Sequence, residues 1–271
     1  MHQPRKRFSQ NFLHDPGTIR RILDAVRPCQ GERLVEIGPG HGAITRGLLE
    51  GAGSLDVIEL DSDLIEPLRE RLGGLGDLRI HNADAFRFDL GTLGGAPASL
   101  RLVGNLPYNI STPLLFRFLD QADWVLDLHL MLQREVVERI AAEPGNKVYG
   151  RLSVMVQTWC EAECLFRIGP GAFTPAPKVE SAFLRLRPRR PLPQPPDDRA
   201  AHARLVAAAF SQRRKTLRNS LMGLADAAAF AAAGIDPGLR AENLDVAAFV
   251  RLANTVGTLA KSAPRPDIAG R

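Results

Sequence analysis

Cysteine and long apolar stretches are scarce in this chain of 271 residues. Its three cysteines, Cys29, Cys160 and Cys164, are too few for a disulfide scaffold. Cys160 and Cys164 are spaced to share one face of a helix. With no second pair and no nearby histidine, we expect buried or half-exposed thiols and no metal site. No apolar run reaches about 18 residues, so the sequence predicts no membrane-spanning segment.

The first residues also do not have the pattern of a secretion signal. The start of the chain is basic, but polar Ser9, Gln10 and Asn11 stand where a signal peptide has its apolar stretch. We therefore expect a cytoplasmic protein. Hydrophobic residues make up 45% of the chain and charged residues 24%, which is typical of a soluble globular protein. The default expectation is a monomer.

The net charge of +5 is unevenly distributed along the chain. Residues 1–184 carry 20 basic and 23 acidic side chains, a balance of −3, whereas residues 185–271 carry 15 basic and 7 acidic ones, a balance of +8. A basic C-terminal third indicates a polyanionic partner, most simply a nucleic acid. A solvated surface rich in arginine explains the charge equally well.

Short apolar runs alternate with helical patterns through the first half of the chain. An N-cap at Asp15 and Pro16 precede a helix predicted over residues 16–27. Strands are predicted at 34–37, 55–59, 78–80, 100–103 and 125–132, and helices at 42–50, 62–72, 112–119 and 134–141. Such alternation favours an α/β fold with a doubly wound parallel sheet.

The C-terminal part has a different composition. Residues 183–187 alternate like an edge strand, and residues 188–196 contain five of the 20 prolines, which predicts a stiff linker. After it the chain is rich in alanine, with helices predicted at 199–210, 212–224, 225–233 and 246–260. We therefore predict an α/β domain at 1–187, a linker at 188–196 and a small all-helical domain at 197–271.

A glycine-rich turn follows the first predicted strand of the sheet. Glycines such as Gly38 and Gly40 let the backbone pass close to a ligand. Their spacing, Gly-x-Gly-x-Gly after an acidic Glu36, departs from the usual dinucleotide fingerprint. Glu59 ends the next strand, where a carboxylate can accept both hydroxyls of a ribose. Asp84 follows the third strand, where it can accept a hydrogen bond from an adenine amino group. In this order the residues resemble the S-adenosylmethionine pocket of Rossmann-like methyltransferases; a packing turn is the alternative.

A second candidate site follows the fourth strand, where open α/β sheets bind ligands. An exocyclic adenine amine is a poor nucleophile because its lone pair is delocalised into the ring. The Asn105 amide oxygen and the Leu106 carbonyl can accept hydrogen bonds from its two N–H groups and return electron density to the nitrogen. Pro107 adds no competing N–H, and Tyr108 offers a face on which an extruded base can stack. Catalysis would then rest mainly on orientation.

With these sites, the chain resembles the ribosomal RNA adenine dimethyltransferases, and most closely those acting on small-subunit rRNA. The resemblance extends from residue 6 to about residue 219. It rests on the stretches 6–13, 36–42, 59–61, 82–84, 104–113, 131–136, 149–154, 173–179 and 210–219. It implies a Rossmann-like class I methyltransferase sheet with a small C-terminal helical domain that binds RNA, and S-adenosylmethionine as the cofactor. It also implies dimethylation of two adjacent adenosines in the 3′-terminal hairpin of 16S rRNA, within an assembling 30S subunit.

Site roles carried over from this family extend the two candidate sites. Cofactor contacts are expected from Asn11, Leu13, Gly38, Gly40, Glu59, Asp84 and Asn105. Catalytic roles are expected for Asn105, Leu106, Pro107, Tyr108 and Phe173, the last as a second aromatic face for the target base. RNA phosphates are expected to contact Arg5, Lys6, Arg7, Arg213, Arg214, Lys215 and Arg218.

Three other functions remain open from the sequence. A DNA adenine methyltransferase uses a related loop, although Leu106 and the stretch 210–216 favour rRNA. A large-subunit rRNA methyltransferase of the antibiotic-resistance type makes the same product at another adenosine. A ribosome-assembly factor with secondary catalysis is the non-enzymatic alternative.

Overall fold

A computed structural model describes residues 11–262 of the chain. The strands are β1 (Phe12–Leu13), β2 (Arg33–Ile37), β3 (Ser54–Glu59), β4 (Asp77–Asn82), β5 (Leu100–Asn105), β6 (Val125–Gln133), β7 (Cys160–Ile168), β8 (Phe173–Thr174) and β9 (Ser181–Pro188). The α-helices are α1 (Pro16–Val26), α2 (Thr45–Ala52), α3 (Ile65–Leu72), α4 (Ser111–Leu119), α5 (Arg134–Ile140), α6 (Arg151–Gln157), α7 (Arg199–Ala209), α8 (Leu217–Ser220), α9 (Ala227–Ala233) and α10 (Val246–Ser262). Within residues 11–262, no helix is both long and apolar enough to cross a membrane.

Seven strands form one sheet in the order β4-β3-β2-β5-β6-β9-β7. The first five of these run parallel, and β9 pairs antiparallel with β6. The predicted α/β class with a doubly wound sheet is thereby confirmed. The strand order reverses between β2 and β5, and ligands of open α/β sheets bind at the carboxyl ends of strands beside such a reversal.

Burial on both faces explains why the central strands are continuous apolar runs. In β2 the four residues 34–37 are all buried, and in β5 residues 100–103 are buried. Because helices cover both faces of a parallel sheet, such strands lack the polar alternation of a half-exposed strand. Arg101 is the charged exception in β5, and its guanidinium reaches Asp127 of β6 at 3.1 Å and Glu32 at 2.7 Å.

Four details of the predicted elements were wrong. The predicted edge strand is β9, which lies between β6 and β7 and is therefore internal. Strand β7 was not predicted, and it carries Cys160 and Cys164, which do not share a helix. Helix α2 begins at Thr45, since residues 41–44 form a turn. In place of the helix predicted at 212–224, only Leu217–Ser220 is α-helical.

The described chain divides into two compact units. The first comprises residues 11–137 and 161–188, and the second comprises 138–160 and 189–262. The division departs from the predicted boundaries, because residues 138–160 group with the C-terminal helices. Their packing gives the reason, since Tyr149 and Val154 are fully buried in the same apolar cluster as Phe249 of α10. Residues 189–196, most of the predicted linker, contain no helix or strand.

A buried histidine in the second unit predicts a loss of stability in acid. His202 of α7 is fully buried, with its Nε2 3.1 Å from the Thr158 hydroxyl and its Nδ1 without a hydrogen-bond partner. Burial lowers the pKa of His202 from 6.5 to about 4. The unfolded chain therefore binds this proton first, and stability that is fully present above pH 6.5 is lost as the pH falls toward 4, by about 3 kcal/mol.

Denaturant unfolding between pH 7 and pH 4 measures this loss. We expect His202→Gln to remove most of the pH dependence from the unfolding of the second unit, while His14→Gln, at an exposed position, leaves it unchanged. An identical pH dependence in wild type and His202→Gln would refute the assignment.

Candidate active site

One cavity of about 920 Å³ opens at the carboxyl ends of β2, β3, β5 and β6 in the first unit. It contains all the residues that the sequence predicted for the cofactor, namely Asn11, Leu13, Gly38, Gly40, Glu59, Asp84 and Asn105. Leu106, Pro107 and Tyr108 of the predicted catalytic loop line the same cavity. The structure therefore brings the two candidate sites together in one space, as the parallel sheet requires.

The glycine-rich turn after β2 has a backbone that only glycine adopts without strain. Gly38 and Gly40 have φ angles of +64° and +57°. A Cβ at Gly40 would lie 2.9 Å from the Phe12 ring, whereas a Cβ at Gly38 would meet nothing within 4 Å. The turn is thus covered by Phe12 at one glycine and open at the other. This leaves backbone at Gly38 that a ligand can approach closely.

Glu59 is fixed at the end of β3 by two backbone donors. Its Oε1 accepts a hydrogen bond from the Asp61 N–H at 2.7 Å, and its Oε2 accepts one from the Gly40 N–H at 3.3 Å. Burial raises the pKa of Glu59, and the two backbone bonds oppose that rise. The carboxylate therefore joins the glycine turn to the strand end and is held in a fixed position. Two acceptor oxygens that bind ligand hydroxyls need such a fixed position.

Glu36 is the most deeply buried acid of the cavity. It is only 1% exposed, and its Oε2 has no hydrogen-bond partner. Burial raises its pKa to about 8, and the neighbouring Glu59 carboxylate adds to the rise, while the Thr45 hydroxyl partly offsets it. An acidic oxygen without a partner in a cavity indicates a place for a donor or a positive charge from a ligand.

Asp84 lies on a loop that α4 holds in place. Its Oδ1 accepts from the Phe86 N–H at 2.9 Å, and Arg117 donates from Nε to the Phe86 carbonyl at 3.1 Å. Gln121, two residues after the end of α4, donates to the Phe88 carbonyl at 3.2 Å. The second oxygen of Asp84 lies 3.9 Å from the Arg87 guanidinium. Because α4 comes directly after the catalytic loop, one helix fixes both sides of the cavity.

The catalytic loop has two side chains anchored by distant parts of the chain. The Nδ2 of Asn105 donates to the Asn11 carbonyl at 3.0 Å, and the Tyr108 hydroxyl is hydrogen-bonded to the Ser181 hydroxyl at 2.6 Å. Leu106 is buried, with its N–H bonded to the Met131 carbonyl at 3.2 Å. Tyr108 is half-buried, so one side of its ring borders the cavity.

Phe173 does not line this cavity, in contrast to the sequence-based prediction. Its side chain is 3% exposed and packs in the apolar cluster that also contains Leu13 and Phe183. The reason is β8, whose two residues pair antiparallel with β1 and turn the Phe173 ring into the core. The Phe173 ring is therefore not a face of this cavity, and its contact with a target base stays a prediction.

The predicted RNA-contacting residues in the second unit lie on its surface. Arg213, Arg214, Lys215 and Arg218 are all exposed, on the turn before α8 and on α8 itself. Arg213 also donates to the Lys147 carbonyl and lies 3.7 Å from the Glu242 carboxylate. Arg5, Lys6 and Arg7 fall outside the described residues.

Sequence reasoning missed several residues of the site. Phe12 covers Gly40 and lies 4.1 Å from the His41 ring, and the position of Phe12 between Asn11 and Leu13 was a usable signal. Arg117 is 31 residues from Phe86, whose carbonyl it holds, and Ser181 is 73 residues from Tyr108. No local pattern connects such partners, so only the folded structure reveals them.

Comparisons with known proteins agree on one family. A family model described as ribosomal RNA adenine dimethylase matches residues 1–257. The chain is 55% identical over 262 residues to the ribosomal RNA small subunit methyltransferase A of Pseudomonas fluorescens, covering 97% of each sequence. It is 54% identical over 258 residues to the protein of that name from Pseudomonas aeruginosa, covering 95% of this chain and 96% of the relative.

Two solved structures share the fold over most of their length. A dimethyladenosine transferase from Plasmodium falciparum is similar with a TM-score of 0.79 and 25% identity, covering 91% of this chain and 98% of the other. The 23S rRNA methyltransferase ErmE is similar with a TM-score of 0.73 and 27% identity, covering 91% of this chain and 100% of the other. Both similarities extend through the two units of the described chain.

Proposed function

The chain belongs to the ribosomal RNA adenine dimethylase family, and we propose that it transfers methyl groups from S-adenosylmethionine to exocyclic amines of adenosines in small-subunit rRNA. The observation that carries the proposal is the joint placement of the Asn105 loop, the glycine turn and the two strand-end acids in one cavity. The relatives near 55% identity are small-subunit enzymes, whereas ErmE, named for 23S rRNA, is 27% identical. This difference favours the small subunit.

The cavity residues fit the proposed cofactor. The partnerless Oε2 of Glu36 suits a cationic group, and the open backbone at Gly38 leaves room for the methionine part. The fixed carboxylate of Glu59 suits ribose hydroxyls, and Asp84 suits an adenine amino group. Asn11 and Leu13, from the N-terminal segment of the chain, also line the cavity. When bound, S-adenosylmethionine supplies an electrophilic methyl group.

The loop residues would bind the target base. The Asn105 amide oxygen and the Leu106 carbonyl accept hydrogen bonds from the two N–H groups of the adenine amine, which raises the electron density on its nitrogen. Tyr108 stacks on the extruded ring, and its bond to Ser181 holds the aromatic plane steady. Such a site accelerates the reaction through position and hydrogen bonding, with no covalent nucleophile on the protein.

The finer substrate belongs to the same proposal. We take it to be two adjacent adenosines in the 3′-terminal hairpin of 16S rRNA, within an assembling 30S particle. A monomeric enzyme in the cytoplasm completes the proposal.

A methylation assay with three substrates tests the function. The purified protein is incubated with labelled S-adenosylmethionine and with unmethylated small-subunit particles, large-subunit particles or unmethylated DNA. Mass spectrometry of the nucleosides then identifies and maps the product. Dimethyladenosine in the small-subunit rRNA is the expected result, and incorporation only into DNA or large-subunit rRNA would overturn the proposal.

The basic cluster of the second unit predicts how RNA binding depends on salt. Within residues 11–262, Arg214, Lys215 and Arg218 form no ion pair, so phosphates can neutralise them. Replacing all three by alanine should weaken particle binding and reduce the slope of log affinity against log salt by about 2 to 3, because fewer counterions are released. Arg213→Ala should have a smaller effect, since Glu242 already lies beside that guanidinium.

Filter binding at several salt concentrations measures the slope. Arg46→Ala is the matched control, because Arg46 is exposed on α2 of the first unit and lies 3.7 Å from Glu50. An unchanged slope in the triple variant would mean that these cations are only a solvated surface.

A further inference from the structure

The side-chain amide of Asn105 is held in one orientation by the chain's N-terminal segment. An amide presents two N–H donors on one side and a carbonyl acceptor on the other. Nδ2 of Asn105 donates to the backbone carbonyl of Asn11 at 3.0 Å, across 94 residues of sequence. Rotating the amide by half a turn would bring two oxygens face to face. The donor edge is thus committed to Asn11, and the acceptor edge is left for the cavity.

The Asn11 carbonyl is itself fixed by the next residues of the chain. Phe12 and Leu13 pair antiparallel with Thr174 and Phe173, and the His14 N–H donates to the Ala172 carbonyl at 2.9 Å. Leu13 is 9% exposed in the core. The carbonyl therefore belongs to a two-stranded ribbon with a buried side.

The other side of this ribbon rests on the cofactor turn. A Cβ at Gly40 would lie 2.9 Å from the Phe12 ring, and the centre of that ring lies 4.1 Å from the centre of the His41 ring. Phe173 and Leu13 are buried in one apolar cluster, which anchors the buried side of the ribbon. Phe173 thereby holds β8, and through it β1, in place.

We propose that the Asn11 backbone carbonyl orients the Asn105 amide for methyl transfer, which makes residues 11–13, held by β8, a positioning element of the active site. The inference rests on the proposed function for its catalytic consequence, but the hydrogen bond and its effect on the ribbon do not depend on the substrate. It also explains why the position needs an amide. A carboxylate would keep an acceptor for the adenine amine but would offer no donor to Asn11.

The Asn105→Asp substitution tests the donor edge of the side chain separately from its acceptor edge. Above the pKa of the new carboxyl group, its oxygen faces the Asn11 carbonyl without a proton, and the ribbon loses its bond to the loop. Below that pKa, the protonated oxygen donates to Asn11 and the other oxygen remains an acceptor. We expect methyl transfer by this variant to be at least about a hundredfold slower than wild type at pH 8. The ratio of variant to wild-type rate should then rise as the pH falls toward 6, by up to about tenfold per pH unit.

Two measurements test this positioning role. Single-turnover methylation of small-subunit particles is followed from pH 6 to pH 9 for wild type, Asn105→Asp and Asn105→Ala. The alanine variant is the control, since it has neither donor nor acceptor and its ratio to wild type should not change with pH. Hydrogen exchange of the amides of residues 12–14 in the free protein, compared at one pH near 8, should be faster in Asn105→Asp than in wild type.

The outcomes separate the positioning role from the proposed function. A ratio that stays constant with pH in Asn105→Asp, or exchange at residues 12–14 equal to wild type, would overturn the positioning role. Failure of the wild-type protein to methylate small-subunit rRNA would instead overturn the proposed function, and the exchange comparison would still decide the role of the Asn11 carbonyl.

Discussion

Replacing Asn105 by alanine should lower methyl transfer about a hundredfold to a thousandfold, while binding of the RNA particle stays near wild type. In the proposed site the amide oxygen contacts the adenosine only at the reacting nitrogen, so its loss would remove an interaction that strengthens as the nitrogen attacks. Particle binding depends instead on phosphate contacts such as those proposed for the basic cluster, which the substitution leaves intact.

The measurement pairs single-turnover rates with filter binding of the same particles. Asn243→Ala is a suitable control, because Asn243 is exposed in the second unit and lies outside the cavity. The effect should be on the rate at saturating RNA and cofactor rather than on the RNA concentration needed for saturation. Wild-type rates in Asn105→Ala would show that the loop does not hold the reacting amine.

The main sheet and most of the cavity could be predicted from the sequence because their signals are local. Parallel strands buried on both faces are continuous apolar runs, and ligand groups come directly at their carboxyl ends. Glu59 ends such a run, Asp84 comes just after the partly exposed edge strand β4, and Gly38 and Gly40 have the spacing of a tight turn. The known geometry of a doubly wound sheet then brings these points together.

The missed elements depend on contacts between distant residues. Strands β1 and β8 have two residues each and exist because they pair with one another across about 160 residues. Phe173 was expected at the cavity because its role was carried over from the family, and nothing near it in the sequence shows that its ring faces the core. In the second unit, residues 138–160 resemble part of the α/β pattern, and only the burial of Tyr149 beside Phe249 assigns them elsewhere.

Glu36 is expected to destabilise the ligand-free protein, and Glu36→Gln should therefore stabilise it. Burial raises the pKa of this acid from 4.5 to about 8, so the folded protein keeps it neutral at pH 7 while the unfolded chain ionises it. Because the unfolded chain releases this proton first, stability is highest below pH 4.5, falls as the pH rises toward 8 and is constant well above it, with a total loss of about 5 kcal/mol.

Glutamine has the shape of the neutral acid but does not ionise, so the variant should lose this pH dependence and gain about 4 kcal/mol at pH 8. Denaturant unfolding of the first unit in cofactor-free protein measures the gain. Glu66→Gln, at an exposed site paired with Arg69, should show none. A variant that is no more stable at pH 8 would mean that Glu36 ionises freely in the empty cavity.

Cofactor binding by Glu36→Gln should change in the opposite direction to its stability. A neutral amide offers no negative charge to the cationic cofactor, so calorimetry should find its affinity for the variant at least about tenfold weaker than for wild type. A stabilised variant with wild-type affinity would mean that the acid serves no charge of the ligand. The combination of higher stability and weaker binding is the pattern expected of a buried acid kept for its ligand.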